Sequence, residues 1–90
     1  MSEELKKMRG KIDRIDFEIL KKLAERFSLV SKIAGYKAKN NLPIFDGKRE
    51  REMVKARKVL AKKYKLDESV IERLFKLIIR ASRSKQKNAH

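Results

Sequence analysis

The chain has 90 residues, of which 42% are charged, and it contains no cysteine. This length forms one domain, residues 1–90, and the lack of cysteine excludes a disulfide framework and thiolate chemistry. No apolar run approaches the roughly 18 residues of a membrane span, and the N-terminal segment MSEELKKM lacks the apolar core of a secretory signal. We therefore expect a cytoplasmic protein.

The formal net charge of +14 is the most unusual feature of the composition. It suggests a polyanionic partner such as nucleic acid, but a lysine-rich solvated surface explains it equally well. The basic residues are spread through all segments, and most have acidic residues nearby. The few aromatic residues are not interleaved with them as base stacking requires. Charge alone leaves both interpretations open.

The first predicted helix covers residues 3–40, where no proline interrupts an apolar stripe at helical spacing. At about 1.5 Å per residue it is roughly 55 Å long, whereas a compact chain of this size has a radius of gyration of about 12 Å. The helix is therefore too long for the rest of its own chain to cover. We predict an intertwined homodimer in which a second copy covers the apolar stripe. The stripe consists of Leu5, Met8, Ile12, Ile15, Ile19, Leu23, Val30 and Ile33.

The rest of the chain predicts two shorter helices. Pro43 holds the connection extended, and Asp46 and Asp67 are good N-cap residues for the helices that follow. No segment alternates as a strand does, and no repeat is present, so the predicted fold is all-α. The predicted elements after the long helix are a loop over residues 41–46, a helix over residues 47–63 and a helix over residues 67–87.

Arg26 lies on the apolar seam of the first helix when the helix is written as heptads. A buried arginine without a partner is costly, so it must pair within the chain, reach water or meet an anion. Lys37 follows eleven residues later, within roughly 20° of the same face and about 16 Å along the axis. Together they indicate a site for a small dianion. Arg9 lies about 100° round the helix from Arg26, so it is better placed to enter the site of a second subunit.

Two further groups of polar residues are candidates for the same site. Ser82 and Gln86 are four residues apart and share one face of the third helix. They are either surface residues or hydrogen-bonding groups for a ligand. Asp46, Arg49 and Glu50 cluster at the start of the second helix, where capping or solvation explains them as well as a ligand does.

Four segments occur in order along the chain: MRGKIDRID, LAERFSLVSKIAGYK, PIFDGKRERE and FKLIIRASRSKQ. With these spacings they resemble the all-α chorismate mutase family, the AroQ type, over essentially the whole chain. The resemblance implies an intertwined homodimer with two active sites. It also implies a Claisen rearrangement of chorismate to prephenate, in the shikimate pathway to phenylalanine and tyrosine, with no cofactor and no metal.

The resemblance assigns roles to the candidate residues. Arg9 matches the arginine that pairs with a substrate carboxylate in the partner's site, and Arg26 the arginine that holds the other carboxylate. Lys37 matches a lysine that contacts a carboxylate and the ether oxygen. Gln86 matches the second donor to that oxygen, and Ser82 a contact on the carboxylate side.

The start of the second helix matches the part of the family's site that faces the substrate hydroxyl. Glu50 corresponds to the glutamate that accepts a hydrogen bond from this hydroxyl, and Asp46 and Arg49 to residues beside it. The transition state gathers negative charge on the ether oxygen, so donors aimed there stabilise it more than the ground state. No residue has to act as a nucleophile or proton shuttle.

Three other functions compete with this interpretation. An isochorismate-pyruvate lyase shares the fold and much of the basic pocket, but the complete set with Glu50 favours the mutase. A nucleic-acid-binding helical dimer would explain the charge and not the positions of Glu50 and Gln86. A domain that regulates or assembles with another enzyme of aromatic biosynthesis is neither supported nor excluded.

Overall fold

The computed structural model describes the backbone of residues 2–89 and the side chains of residues 2–84. The described chain forms three helices: α1 (Glu3–Lys39), α2 (Gly47–Lys63) and α3 (Glu68–Ala89). No described residue lies in a strand, so the prediction of an all-α fold with one long helix and two shorter ones is confirmed. Within these residues, no helix has the length and apolar character needed to cross a membrane.

Side-chain caps fix where the helices begin. The carboxylate of Asp46 accepts a hydrogen bond from the backbone N–H of Arg49 at 3.1 Å. The carboxylate of Asp67 accepts from the N–H groups of Ser69 and Val70 at 2.9 and 3.2 Å. Both predicted N-caps are therefore confirmed, and each satisfies backbone donors that the first helical turn leaves open.

The first two helices end in the same way. Asn41 and Lys65 adopt left-handed backbone conformations, with φ of 55° and 56°. The next residue in each case, Leu42 or Leu66, donates a 2.8 Å hydrogen bond to a carbonyl five residues back. This is the Schellman arrangement, which turns the chain sharply and satisfies the last carbonyls. The turn after α1 brings the loop back beside Lys37.

The three helices bury little apolar surface within one chain. α3 packs against both α1 and α2, and the molecule is 58 Å long with a radius of gyration of 17.0 Å. Among the described residues, only Ala34 and Ala61 are fully buried apolar side chains. On the first half of α1, Ile12, Ile15 and Ile19 are each more than 50% exposed. Contiguous apolar surface of this kind typically marks an interaction face.

Candidate active site

A cleft of about 660 Å³ lies between the second half of α1, the loop after it and the first half of α2, with α3 forming a further wall. It collects most of the residues that the sequence singled out, although they come from four different segments. Six of the eight predicted site residues line it: Arg26, Lys37, Asp46, Arg49, Glu50 and Ser82.

Arg26 is held from α3. Its Nη1 donates a 2.7 Å hydrogen bond to the hydroxyl of Ser82, which in turn donates to the carbonyl of Ile78 at 2.9 Å. Ser82 is only 6% exposed, so its position is well fixed. No ion pair among the described side chains includes Arg26, so the guanidinium keeps a charge that a bound anion can meet.

Lys37 lies at the end of α1 and faces the loop. Its ammonium donates a 2.7 Å hydrogen bond to the backbone carbonyl of Ile44. The described ion pairs do not include this side chain either. Because its acceptor is neutral, Lys37 also brings an uncompensated positive charge to the cleft.

Glu50, at the start of α2, is paired with a residue that the sequence analysis did not single out. Nη2 of Arg83 lies 2.7 Å from one carboxylate oxygen of Glu50 and 2.8 Å from the other. The Arg83 guanidinium also lies 5.6 Å from the centroid of the Phe45 ring, in the loop before α2. The carboxylate is thus fixed at the edge of the cleft by α3.

Arg57 is the second cleft residue that the sequence analysis missed. Its guanidinium lies 4.7 Å from the centroid of the Phe75 ring. Partial burial lowers the pKa of Arg57, the neighbouring charge of Arg26 lowers it further, and Glu50 acts in the opposite direction. Helical spacing gave a signal for this residue, since Glu50, Met53 and Arg57 are three and four residues apart and share a face of α2.

The charge of the cleft favours an anionic ligand. Five cationic and two carboxylate side chains line it, which gives a net charge of +3. Aliphatic side chains such as Val30, Ile33 and Ile79 form other parts of the wall. Apolar walls with a few convergent charges are typical of sites that bind a small charged molecule.

Of the two remaining predicted site residues, Arg9 does not line this cleft. Arg9 is on the first half of α1, and seventeen residues of helix separate it from Arg26 by about 25 Å along the axis. Gln86 lies on α3, one turn beyond Ser82. Its side chain is outside the described residues, so its predicted contact with the ligand stays a prediction.

Comparison with known proteins places these residues in a family. The model of the family described as chorismate mutase type II matches residues 8–87. A chorismate mutase of Methanocaldococcus jannaschii is 37% identical over 87 residues, which cover 97% of this chain and 88% of that protein.

Longer proteins match as well. A bifunctional chorismate mutase/prephenate dehydratase of Buchnera aphidicola subsp. Acyrthosiphon pisum is 47% identical over 79 residues, or 88% of this chain and 20% of that protein. A T-protein of Haemophilus influenzae is 35% identical over 80 residues, or 89% of this chain and 21% of that protein. The chain thus spans about a fifth of the length of these two relatives. With the family match over most of its length, the chain belongs to the chorismate mutase type II family.

Proposed function

We propose that this protein is a chorismate mutase that converts chorismate to prephenate without a cofactor. Family membership supports the activity, and one observation links the activity to this cleft. Arg26 and Lys37, eleven residues apart on α1, line one cleft and form no ion pair with any described carboxylate. Two uncompensated cations on one wall suit a substrate that carries two carboxylates.

Catalysis in this proposal is electrostatic and conformational. Arg26 binds one carboxylate of the substrate, and Lys37 exchanges the carbonyl of Ile44 for the second carboxylate and the ether oxygen. As the C–O bond breaks, negative charge grows on that oxygen, and donors already aimed at it lower the barrier. Gln86 is proposed as the second donor. Holding the enolpyruvyl arm over the ring removes part of the entropic cost of the reaction.

The start of α2 binds the opposite side of the substrate. Glu50 accepts a hydrogen bond from the ring hydroxyl, and Asp46 and Arg49 line the same edge. Asp46 also caps the helix through its bond to the Arg49 N–H, so it fixes the backbone that carries Glu50. A capping residue can serve both purposes because one carboxylate accepts several hydrogen bonds.

The active form in this proposal is an intertwined homodimer with two sites. The exposed stripe on the first half of α1 supports this, since Ile12, Ile15 and Ile19 are each more than half exposed among the described residues. The position of Arg9 supports it too, because it is too far along α1 to reach its own cleft. In the dimer, Arg9 enters the cleft of the partner and binds a substrate carboxylate there.

The test is the loss of chorismate absorbance with purified protein, together with identification of prephenate as product. We expect turnover by the wild-type protein and a fall in kcat of about 10²- to 10³-fold for Lys37→Ala, the usual cost of removing one preorganised donor. Lys39→Ala, which changes an exposed lysine of the same helical turn, is the matched control and should keep wild-type rates.

Three outcomes would contradict the proposal. If a folded protein leaves chorismate unchanged but releases pyruvate from isochorismate, the protein is a lyase of the same fold. If neither substrate reacts and the protein binds nucleic acid with a steep salt dependence, the charge of +14 serves that function instead. If Lys37→Ala retains wild-type kcat, Lys37 does not act on the ether oxygen.

A further inference from the structure

We infer that Arg83 is a positioning residue that fixes the carboxylate of Glu50 to receive the substrate hydroxyl. This inference rests on the proposed function, because the hydroxyl belongs to chorismate. It goes beyond that function because Arg83 is absent from the set of residues that the family resemblance assigns. The structure brings Arg83 and Glu50 together from α3 and α2, 33 residues apart in the sequence.

The geometry of the contact fixes the carboxylate in orientation as well as in position. One nitrogen, Nη2 of Arg83, lies at nearly equal distances, 2.7 and 2.8 Å, from the two oxygens of Glu50. These distances are typical of charge-assisted hydrogen bonds, which are stronger than neutral ones. Rotation of the carboxylate would lengthen one of them. Arg83 therefore selects one rotamer of Glu50 before the substrate arrives.

The contact leaves room for the substrate. A carboxylate offers about four acceptor sites, and the bonds to Arg83 occupy two of them. The hydroxyl can therefore bind to Glu50 while Arg83 stays in place. Arg83 stays bonded to Glu50 in the substrate complex, and the substrate does not have to displace it.

Arg83 is itself fixed from a second direction. Its guanidinium lies 5.6 Å from the centroid of the Phe45 ring, within the range of a cation–π contact. Phe45 precedes Asp46, the cap of α2, so the loop, the helix start and α3 meet at this edge of the cleft.

Stability alone is a poor explanation for this pair. The side chains of Arg83 and Glu50 are 53% and 39% exposed, and ion pairs with this much solvent contact add little to the free energy of folding. Both side chains line the cleft, where fixing a carboxylate lowers the entropic cost of binding a hydroxyl. A positioning role accounts for the place and the geometry of the pair together.

The experiment is a double-mutant cycle on turnover of chorismate. Arg83→Gln and Glu50→Gln are made singly and together, with Arg83→Lys as a variant that keeps the charge. Arg80→Gln is the control, since Arg80 is exposed on the same helix and does not line the cleft. Values of kcat and KM are measured for each protein, and circular dichroism and the thermal midpoint establish folding.

We expect Arg83→Gln to raise KM roughly 5- to 10-fold with little change in kcat, because the hydroxyl bond is present in both the ground state and the transition state. Arg83→Lys is expected to be intermediate. In the Glu50→Gln background, Arg83→Gln should change KM by less than about twofold, since coupled residues are not additive. Arg80→Gln should match the wild-type protein.

The inference is overturned if the two substitutions are additive, because Arg83 then acts independently of Glu50. It is also overturned if Arg80→Gln raises KM equally, since the effect is then one of overall charge. If Arg83→Gln does not fold, the same cycle with Arg83→Lys decides the matter. A wild-type protein without turnover overturns the proposed function and this inference with it, whereas an active one whose KM is insensitive to Arg83 overturns the inference alone.

Discussion

Arg26 and Ser82 form a 2.7 Å hydrogen bond that joins α1 to α3 at the wall of the cleft. The Ser82 hydroxyl acts as acceptor and donor at once, because it accepts a hydrogen bond from Arg26 and donates one to the carbonyl of Ile78. The hydroxyl therefore presents a fixed acceptor to the guanidinium. Arg26 keeps its other N–H donors for an anion, since arginine has five.

Ser82→Ala should weaken substrate binding without unfolding the protein. It removes the acceptor that orients Arg26, and a single hydrogen bond of this kind contributes about 1 kcal/mol. We expect kcat/KM to fall roughly fivefold, which is that free energy expressed as a rate ratio. Ser84→Ala, an exposed serine two residues further on, should have no effect. Equal kinetics for the two variants would mean that Arg26 is oriented by other contacts.

Much of this fold was predictable because its signals are local. The apolar stripe of α1 and the caps Asp46 and Asp67 depend on neighbours within one or two turns, and spacing reveals them. Arg26 and Lys37 were found in the same way, since a periodic helix puts residues eleven apart on one face. The sequence marks the ends of α1 and α2 less clearly than their starts. Asn41 and Lys65 take left-handed conformations at positions where glycine is the usual residue.

The contacts between helices were not predictable from spacing. Ser82 meets Arg26 across 56 residues of sequence, and Arg83 meets Glu50 across 33. Such pairs depend on the angle and separation at which α3 packs, and periodicity within one helix carries no information about either. Arg57 illustrates the same limit. Its face of α2 could be read from the sequence, whereas its approach to Arg26 depends on tertiary packing.

A charge placed on the apolar stripe of α1 should prevent assembly. Ile15 is 59% exposed within one chain, and the proposed dimer buries it against the partner helix. Ile15→Glu would bury an unpaired carboxylate there, which costs several kcal/mol. We expect a monomeric or unfolded protein without turnover, as measured by light scattering and circular dichroism.

Ser28→Glu is the matched control for that change, because it adds the same side chain about 140° away round the helix. Ser28 is exposed, and its variant should remain dimeric and active. A fully active Ile15→Glu dimer would show that this stripe is not the interface.

Arg57 should destabilise the protein when the cleft is empty. Burial, and then the charge of Arg26, lowers its pKa, so folding disfavours the charged form of this base. Because arginine stays protonated near neutral pH, this penalty is present throughout that range and is not relieved by titration there. Arg57→Met keeps an unbranched side chain beside Phe75 and removes the charge. We expect the thermal midpoint to rise, because the substitution removes a charge that burial and the neighbouring Arg26 disfavour.

Lys58→Met, which removes a charge from the exposed neighbouring position, should shift the midpoint less. The same Arg57→Met protein should bind a dianionic substrate more weakly, which a higher KM would report. A lower midpoint would mean that the 4.7 Å contact of Arg57 with the Phe75 ring outweighs the penalty on its charge.

Gln86→Glu should make turnover depend on acid pH. In the proposed mechanism the Gln86 amide donates to the ether oxygen, and a glutamate at this position can donate only while it is protonated. A carboxyl group with an ordinary pKa of about 4.3 is ionised at neutral pH, where it would repel the developing negative charge. Activity should therefore be lost at neutral pH and rise as the pH falls toward this pKa.

The wild-type profile measured over the same range is the reference for this variant. Gln86→Ala removes the donor without adding a titratable group, so its turnover should be low at every pH. A profile for Gln86→Glu that parallels the wild-type profile would exclude hydrogen-bond donation by Gln86 to the ether oxygen. Lys37 would then be left as the proposed donor to that atom.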